Sequence, residues 1–344
     1  MKKQSKLLAL LLACAMTLAL SACGGSSATT STPAGSAAPA ASGSAAATGD
    51  KTYTIGICQL VQHNALDAAT KGFKDALTEK LGDKVKFVEQ NAAGDSATCA
   101  TICNQFVSSK VDLIMANATP ALQAATAATN SIPILGTSVT DYGTALSIAD
   151  WKGTTGTNVT GTADLAPLDK QAEMIKTLFP DAKNVGILYC SAEPNSKYQS
   201  TEITKYLTDD GYTCKEYTFA DSNDVAAVTK TACDESDVIY IPTDNTAASC
   251  AESINNIAEP AKVPIVAGES GICTGCGVAT LSIDYYDLGV VTGNMAYEVL
   301  VNGADPATTE IQFAPKTTYQ YMADRCEKLG VKVPSDYVAI EAEK

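Results

Sequence analysis

The chain has 344 residues and a formal net charge of −14, from 38 acidic and 24 basic side chains. That length accommodates two domains of ordinary size, and 46% apolar with 18% charged residues is a globular composition. The acidic balance argues against a nucleic-acid partner, which needs a basic face, and against electrostatic docking on anionic lipid.

Residues 1–22 have the pattern of a signal peptide. Met1-Lys-Lys-Gln-Ser-Lys6 is basic, and Leu7–Leu20 is an apolar run of 14 residues, short for a membrane span. Leu20-Ser-Ala-Cys23 offers a small-residue cleavage site and resembles the bacterial lipobox, in which the cysteine becomes the lipidated first residue. Cys23 is therefore the expected lipidation site. Residues 24–49 are almost entirely Gly, Ser, Ala, Thr and Pro, which cannot bury enough apolar surface to fold. Residues 23–51 thus read as anchor and flexible linker, holding the folded part on the extracytoplasmic face of the cell membrane.

From Tyr53 on, the pattern alternates between strands and helices. Strands are expected at Tyr53–Leu60, Val85–Gln90, Leu113–Ala116 and Pro133–Gly136. Helices are expected from Leu66 to Leu81, with Asn64 as cap, and at Ala97–Ser108 and Thr119–Thr129. Asp141–Val159, with the only tryptophan, Trp151, is expected to be irregular. After a helix at Leu168–Phe179 the plan repeats. Strands fall at Asn184–Tyr189, Thr213–Thr218, Val238–Ile241 and Pro264–Ala267, with helices at Asn195–Asp209, Asp224–Cys233 and Thr246–Ala261. A strand at Val278–Ile283, a helix at Tyr286–Asn302, a short strand at Glu310–Phe313 and a terminal helix at Thr318–Leu329 complete the chain.

The repetition extends to detail. Asp112-Leu-Ile-Met-Ala-Asn-Ala-Thr-Pro-Ala121 and Asp237-Val-Ile-Tyr-Ile-Pro-Thr-Asp-Asn-Thr246 are both apolar runs ending in small polar residues, and each precedes a short strand opened by Ile-Pro or Val-Pro. Two βαβαβ halves of this kind imply two α/β lobes with parallel sheets whose strand ends aim into a shared cleft. The expected division is 52–162 plus 285–315 for lobe 1 and 163–284 plus 316–344 for lobe 2.

Ligands of open α/β sheets sit outside the carboxyl ends of the strands. Those ends are rich in Thr, Ser, Asn and Asp and carry no cationic side chain other than His63. Helix starts offer backbone N–H groups to a carboxylate, joined by the hydroxyls of Thr119 and Thr140. Asp244, Glu269 and Asp284 are placed to accept from an ammonium. Donors on one lobe and carboxylates on the other suit a zwitterion.

Ile57-Cys-Gln-Leu-Val-Gln-His-Asn-Ala-Leu-Asp67, Gln90-Asn-Ala-Ala-Gly-Asp95, Ala118-Thr-Pro120, Pro242-Thr-Asp-Asn245 and Ile283-Asp-Tyr-Tyr-Asp-Leu-Gly289 resemble the substrate-binding lipoproteins of ABC importers, in the group that takes tryptophan, tyrosine or related ligands. The resemblance covers about residues 53–315. It implies a type I periplasmic-binding-protein fold, two Rossmann-like lobes joined by a hinge, a small zwitterionic ligand and a membrane permease as partner. The family's contacts map onto Gln62, His63, Thr119, Thr140, Asp141, Thr243, Asp244, Asn245, Glu269 and Asp284; Asn195, at another strand end, joins the candidates. Where the family often has Pro after the histidine, this chain has Asn64.

Each candidate has a plainer reading. Asp244 and Asn245 can cap the helix they open, Asp95 can cap the second helix, and Asp284 can brace the crossover through backbone N–H groups. Tyr142, Trp151, Tyr189, Tyr198 and Tyr285 stand near strand ends or hinges as candidate aromatic walls, with core packing as the alternative. Of twelve cysteines, Cys99 and Cys103 are four apart on one helix and Cys273 and Cys276 form a C-x2-C, but the pairs lie in opposite halves. Buried thiols are the expectation, a Cys273–Cys276 disulfide the alternative, and no metal or cofactor is expected. One histidine leaves no catalytic triad, and the nucleophile elbow, P-loop and dinucleotide motifs are missing from the sequence, so an enzyme is not expected. The remaining alternative to a transport component is a ligand-sensing module serving a membrane receptor.

Overall fold

The computed structural model describes residues 51–341; the expected signal peptide, Cys23 and nearly all of the linker lie outside them. The first half runs β1 (Tyr53–Gln59), α1 (Asn64–Leu81), β2 (Val85–Asn91), α2 (Ser96–Ser108), β3 (Leu113–Asn117), α3 (Thr119–Ala128), β4 (Ile134–Val139), α4 (Tyr142–Leu146) and β5 (Val159–Ala163). The second runs α5 (Leu168–Leu178), β6 (Asn184–Cys190), α6 (Pro194–Asp209), β7 (Thr213–Phe219), α7 (Val225–Glu235), β8 (Val238–Ile241), α8 (Asn245–Ser249), α9 (Ala251–Ala261), β9 (Ile265–Ala267), α10 (Ser270–Cys276) and β10 (Ala279–Ile283). It closes with α11 (Tyr285–Val301), β11 (Gln312–Phe313), β12 (Thr317–Tyr321), α12 (Ala323–Leu329) and β13 (Val338–Ala339).

These strands form two sheets, ordered β11-β5-β4-β3-β1-β2 and β13-β12-β10-β9-β8-β6-β7. Among the described strands every pairing is parallel except β10 with β12. The order β2-β1-β3-β4-β5 is repeated as β7-β6-β8-β9-β10, so each lobe has a switch point where the winding reverses, between β1 and β3 and between β6 and β8. Central strands covered by helices on both faces must be apolar throughout. β3 and β8 are buried at every position.

The chain passes between the sheets three times: after β5, after β10, and between β11 and β12. The second passage is held by helix packing. A Cβ on Gly289 would stand 2.0 Å from the Ala69 carbonyl oxygen, and one on Gly72 would stand 2.1 Å from that of Tyr286. α11 and α1 therefore meet backbone to backbone, which only glycine permits. This contact returns the chain from the second sheet to the helices of the first.

Several boundaries differ from expectation. Asn64 does not cap α1: the N-cap is His63, whose side chain makes no capping bond. The segment expected to be irregular holds α4, capped by Asp141, and leads into β5, Val159-Thr-Gly-Thr-Ala163, a β-branched run of only five residues interrupted by Gly161. The helix expected at Thr246–Ala261 breaks at Cys250 into α8 and α9. α10 is a helix of seven residues that the sequence reading omitted. The terminal helix expected from Thr318 starts only at Ala323, because Thr317-Thr-Tyr-Gln-Tyr321 is β-branched and aromatic and pairs antiparallel with β10. No helix among the described residues is long and apolar enough to cross a membrane.

Candidate ligand site

Parallel strands aim their carboxyl ends one way, so the polar segments after β1, β3, β4, β6, β8 and β9 gather where the two sheets face each other. Side chains meet across that boundary. His63 Nε2 lies 3.2 Å from Asn245 Oδ1. Gln199 on α6 reaches Thr140 Oγ1 at 3.5 Å, donates to the Thr243 carbonyl at 3.2 Å and accepts from Thr243 N at 3.1 Å. Asn195 Nδ2 donates to the same carbonyl at 3.0 Å. Tyr285, at the second passage, donates to Asp164 Oδ2 at 3.0 Å while Thr140 Oγ1 donates to Asp164 Oδ1 at 3.1 Å.

Four carboxylates are buried here: Asp164, Glu193, Asp244 and Glu269. Burial raises the carboxyl of Asp164 to about 6, against the pull of its Tyr285 and Thr140 bonds. Burial, helped by Glu193, pushes Asp244 up to about 8, while its hydrogen bonds pull it down. Glu269 is raised by burial, offset by the charge of His63 and by the N–H groups of Gly271 and Ile272. Burial raises Tyr285 as well, with Asp164 and Glu269 adding to it. A positive group brought into this space would offset the burial cost of the carboxylates that burial raises.

The first lobe contributes a different chemistry. Thr119, at the start of α3, and Ser138, at the end of β4, are buried with hydroxyls that have no protein partner. Ala118 and Ser138 occupy adjacent strand ends and both adopt positive φ, 89° and 53°. Strain in non-glycine residues persists where the surroundings impose it, commonly around binding sites. Asn195 Oδ1 and His63 Nδ1 are likewise buried without a partner.

The expected site residues divide accordingly. His63, Thr140, Asn195, Thr243, Asn245 and Glu269 come together around the boundary, and Thr119 stands beside Pro120, which lines an interlobe cavity of about 220 Å³ together with Glu193 and Asn245. Gln62 is exposed. Asp141 is half-buried and caps α4 through Thr144 N at 2.6 Å. Asp284 is exposed and caps α11 through Asp287 N at 3.0 Å, so it braces the passage. Asp244 is committed to the fold: it accepts from Ala247 N, Cys190 N and Ser196 Oγ, each at 2.7 Å. These three bonds, all from its own lobe, give it the helix-capping role that was the plainer alternative for this residue. A larger open groove of about 600 Å³, lined by Asn64, Ser270, Asp284 and Lys316, lies beside the second and third passages and includes none of the four buried acids.

Two acids escaped the sequence reading. Asp164 follows β5, a strand that the expected elements do not include. Glu193 lies in a flagged strand end, and the Glu-Pro step at the start of α6 was its signal. Its carboxylate caps α8 instead, accepting from Asn245 N at 3.0 Å and Thr246 N at 2.8 Å. The aromatic candidates also sort. Tyr142 is in the core, with Trp151 stacked on it at 6.1 Å. Tyr189 is buried and bonds Glu216. Tyr285 is in the site, and the half-buried Tyr198 lies within the field of Asp141 across the boundary. All ten described cysteines are free and eight are buried, Cys273 and Cys276 among them. Among the described residues no cluster suits a metal ion.

The comparisons agree with this architecture. The family model described as "ABC transporter substrate binding protein" matches residues 54–344. A tyrosine-binding protein of Clostridioides difficile (strain R20291) is 40% identical over 265 residues, 75% of this chain and 76% of that one. Among solved structures, an ABC domain in complex with L-Trp from Streptococcus pneumoniae superposes with a TM-score of 0.79 at 34% identity, covering 83% of this chain and 97% of its own. The ligand-free, open structure of a substrate binding protein with adhesive properties from Clostridium difficile gives 0.65 at 36% identity, covering 85% and 100%. With two parallel-dominated lobes in the type I periplasmic-binding-protein arrangement and a family match across nearly all described residues, the chain belongs to the ABC transporter substrate-binding protein family.

Proposed function

We propose that this protein captures an aromatic amino acid, tyrosine or tryptophan, between its lobes and hands it unchanged to an ABC permease for import. The observation that carries the reading is the division of the buried boundary. Unpartnered hydroxyls of Thr119 and Ser138 stand at strand ends of one lobe, and the acids Asp164 and Glu269 stand at the passage and on the other. An α-carboxylate suits the first set and an α-ammonium the second. The names of the relatives point to the same ligand class, one being a tyrosine-binding protein and one an L-Trp complex. Closure stabilises the state with more ligand contacts, by differential affinity.

Tethering through a lipidated Cys23 on the extracytoplasmic face belongs to this proposal and rests on the sequence pattern. Isothermal titration calorimetry with the standard amino acids tests the ligand. Saturable heat from L-Tyr or L-Trp is expected, and silence from every aromatic and large apolar amino acid would refute it. Loss of fatty-acid labelling in Cys23→Ala tests the anchor.

A further inference from the structure

Three side chains form a directional chain across the lobe boundary. Glu193 Oε2 accepts from Asn245 Nδ2 at 2.6 Å and from Asn245 N at 3.0 Å. A carboxylate can only accept, so it fixes which end of the amide faces it. The amide oxygen is thereby turned toward His63 Nε2, 3.2 Å away. An amide oxygen also only accepts, so the ring carries its proton on Nε2. In the neutral ring Nδ1 then holds a bare lone pair, and that atom is buried without a protein partner. Glu193 and Asn245 sit at the starts of α6 and α8 in one lobe, and His63 sits before α1 in the other. The bond to His63 exists only while the lobes are together. Glu269, the buried acid nearby, is held by Gly271 N and Ile272 N, which leaves Nε2 to Asn245.

We propose that lobe closure sets the tautomer of His63 through Glu193 and Asn245, two positioning residues, so that Nδ1 meets the ligand as a hydrogen-bond acceptor. The ligand must then bring an N–H or O–H donor to that point. This deepens the amino-acid reading above and rests on it. The interlobe bond also acts as a latch, since opening breaks it.

The chain has a single histidine, so its ring signals are unambiguous. The test is nitrogen-15 NMR of the full protein saturated with L-tyrosine or L-tryptophan at about pH 9, where an imidazole is ordinarily neutral. The expected spectrum has a slowly exchanging ring proton on Nε2 and an unprotonated Nδ1. Asn245→Ala should abolish the slow proton and weaken L-tyrosine binding roughly tenfold, the effect of one positioned hydrogen bond. Circular dichroism verifies that the variant folds, and the wild-type spectrum decides even if it does not. A ring proton on Nδ1, or one in fast exchange in the saturated protein, would overturn the proposal. Should neither amino acid give heat in calorimetry, the amino-acid reading falls. The ring is then read in the protein without ligand, where a protected Nε2 proton sustains the tautomer assignment and a ring proton held on Nδ1 overturns it.

Discussion

Asp164 is the residue whose substitution best separates burial from bonding. It bridges Thr140 of the first lobe to Tyr285 at the second passage, with Tyr142 and Glu269 also within its field. Its carboxyl is raised from 3.8 to about 6, chiefly by burial. Keeping the charged form in place at neutral pH therefore costs about 3 kcal/mol relative to an exposed carboxylate. The sign follows from linkage: the folded protein holds the proton more tightly than the unfolded chain. This contribution is complete below the unfolded value and is lost as pH rises through about 6. Going from pH 7 to pH 5 should return about 1.3 kcal/mol from this group. Asp164→Asn has the same shape and no charge; the hydroxyl that faces its amide nitrogen can turn to accept while the other still donates to the amide oxygen. The variant should match or exceed wild type in urea denaturation at pH 7, and the difference between the two should shrink as pH falls to 5. A loss of more than about 2 kcal/mol at pH 7, with the wild-type rise toward acid retained, would show that the hydrogen bonds outweigh the desolvation and refute the reasoning.

Four further outcomes are expected. Asp244→Ala strands the buried N–H groups of Cys190 and Ala247 and the Ser196 hydroxyl, so chemical denaturation should show a loss of about 2–4 kcal/mol. Gly289→Ala places a methyl 2.0 Å from the Ala69 carbonyl and must push α11 off α1; a melting temperature within a degree or so of wild type would contradict the close contact. Arg325, the only arginine in the chain, donates to the carbonyls of Cys273, Thr274, Gly275 and Gly277 at the end of α10. Its replacement by Ala should cost roughly 1.5–3 kcal/mol, with Lys recovering only part in the same thermal melt. Trp151→Phe keeps an aromatic ring against Tyr142 outside the site; titration should find the amino-acid affinity unchanged, and a large drop would place Trp151 at the ligand.

Periodicity and composition determine much of this molecule. Runs such as Leu113–Asn117 and Val238–Ile241 are apolar at every core position and sit between helical patterns, so buried parallel strands follow from their chemistry alone. Their repetition makes two lobes legible, and the polar residues that end each run mark where a ligand goes. The choice among those residues was not legible. Whether Asp244 meets a ligand or closes a helix depends on Cys190 and Ser196, some fifty residues away, which occupy its oxygens. Asp164 follows a five-residue strand interrupted by Gly161, and only the fold brings it against Tyr285, 121 residues on. Thr317–Tyr321 became a strand because β10 offered an edge to pair with. Local sequence decides what a segment prefers to be. Which buried carboxylates meet across the lobe boundary, and which partners already hold them, is decided largely by contacts distant in the chain, and only the tertiary structure supplies those.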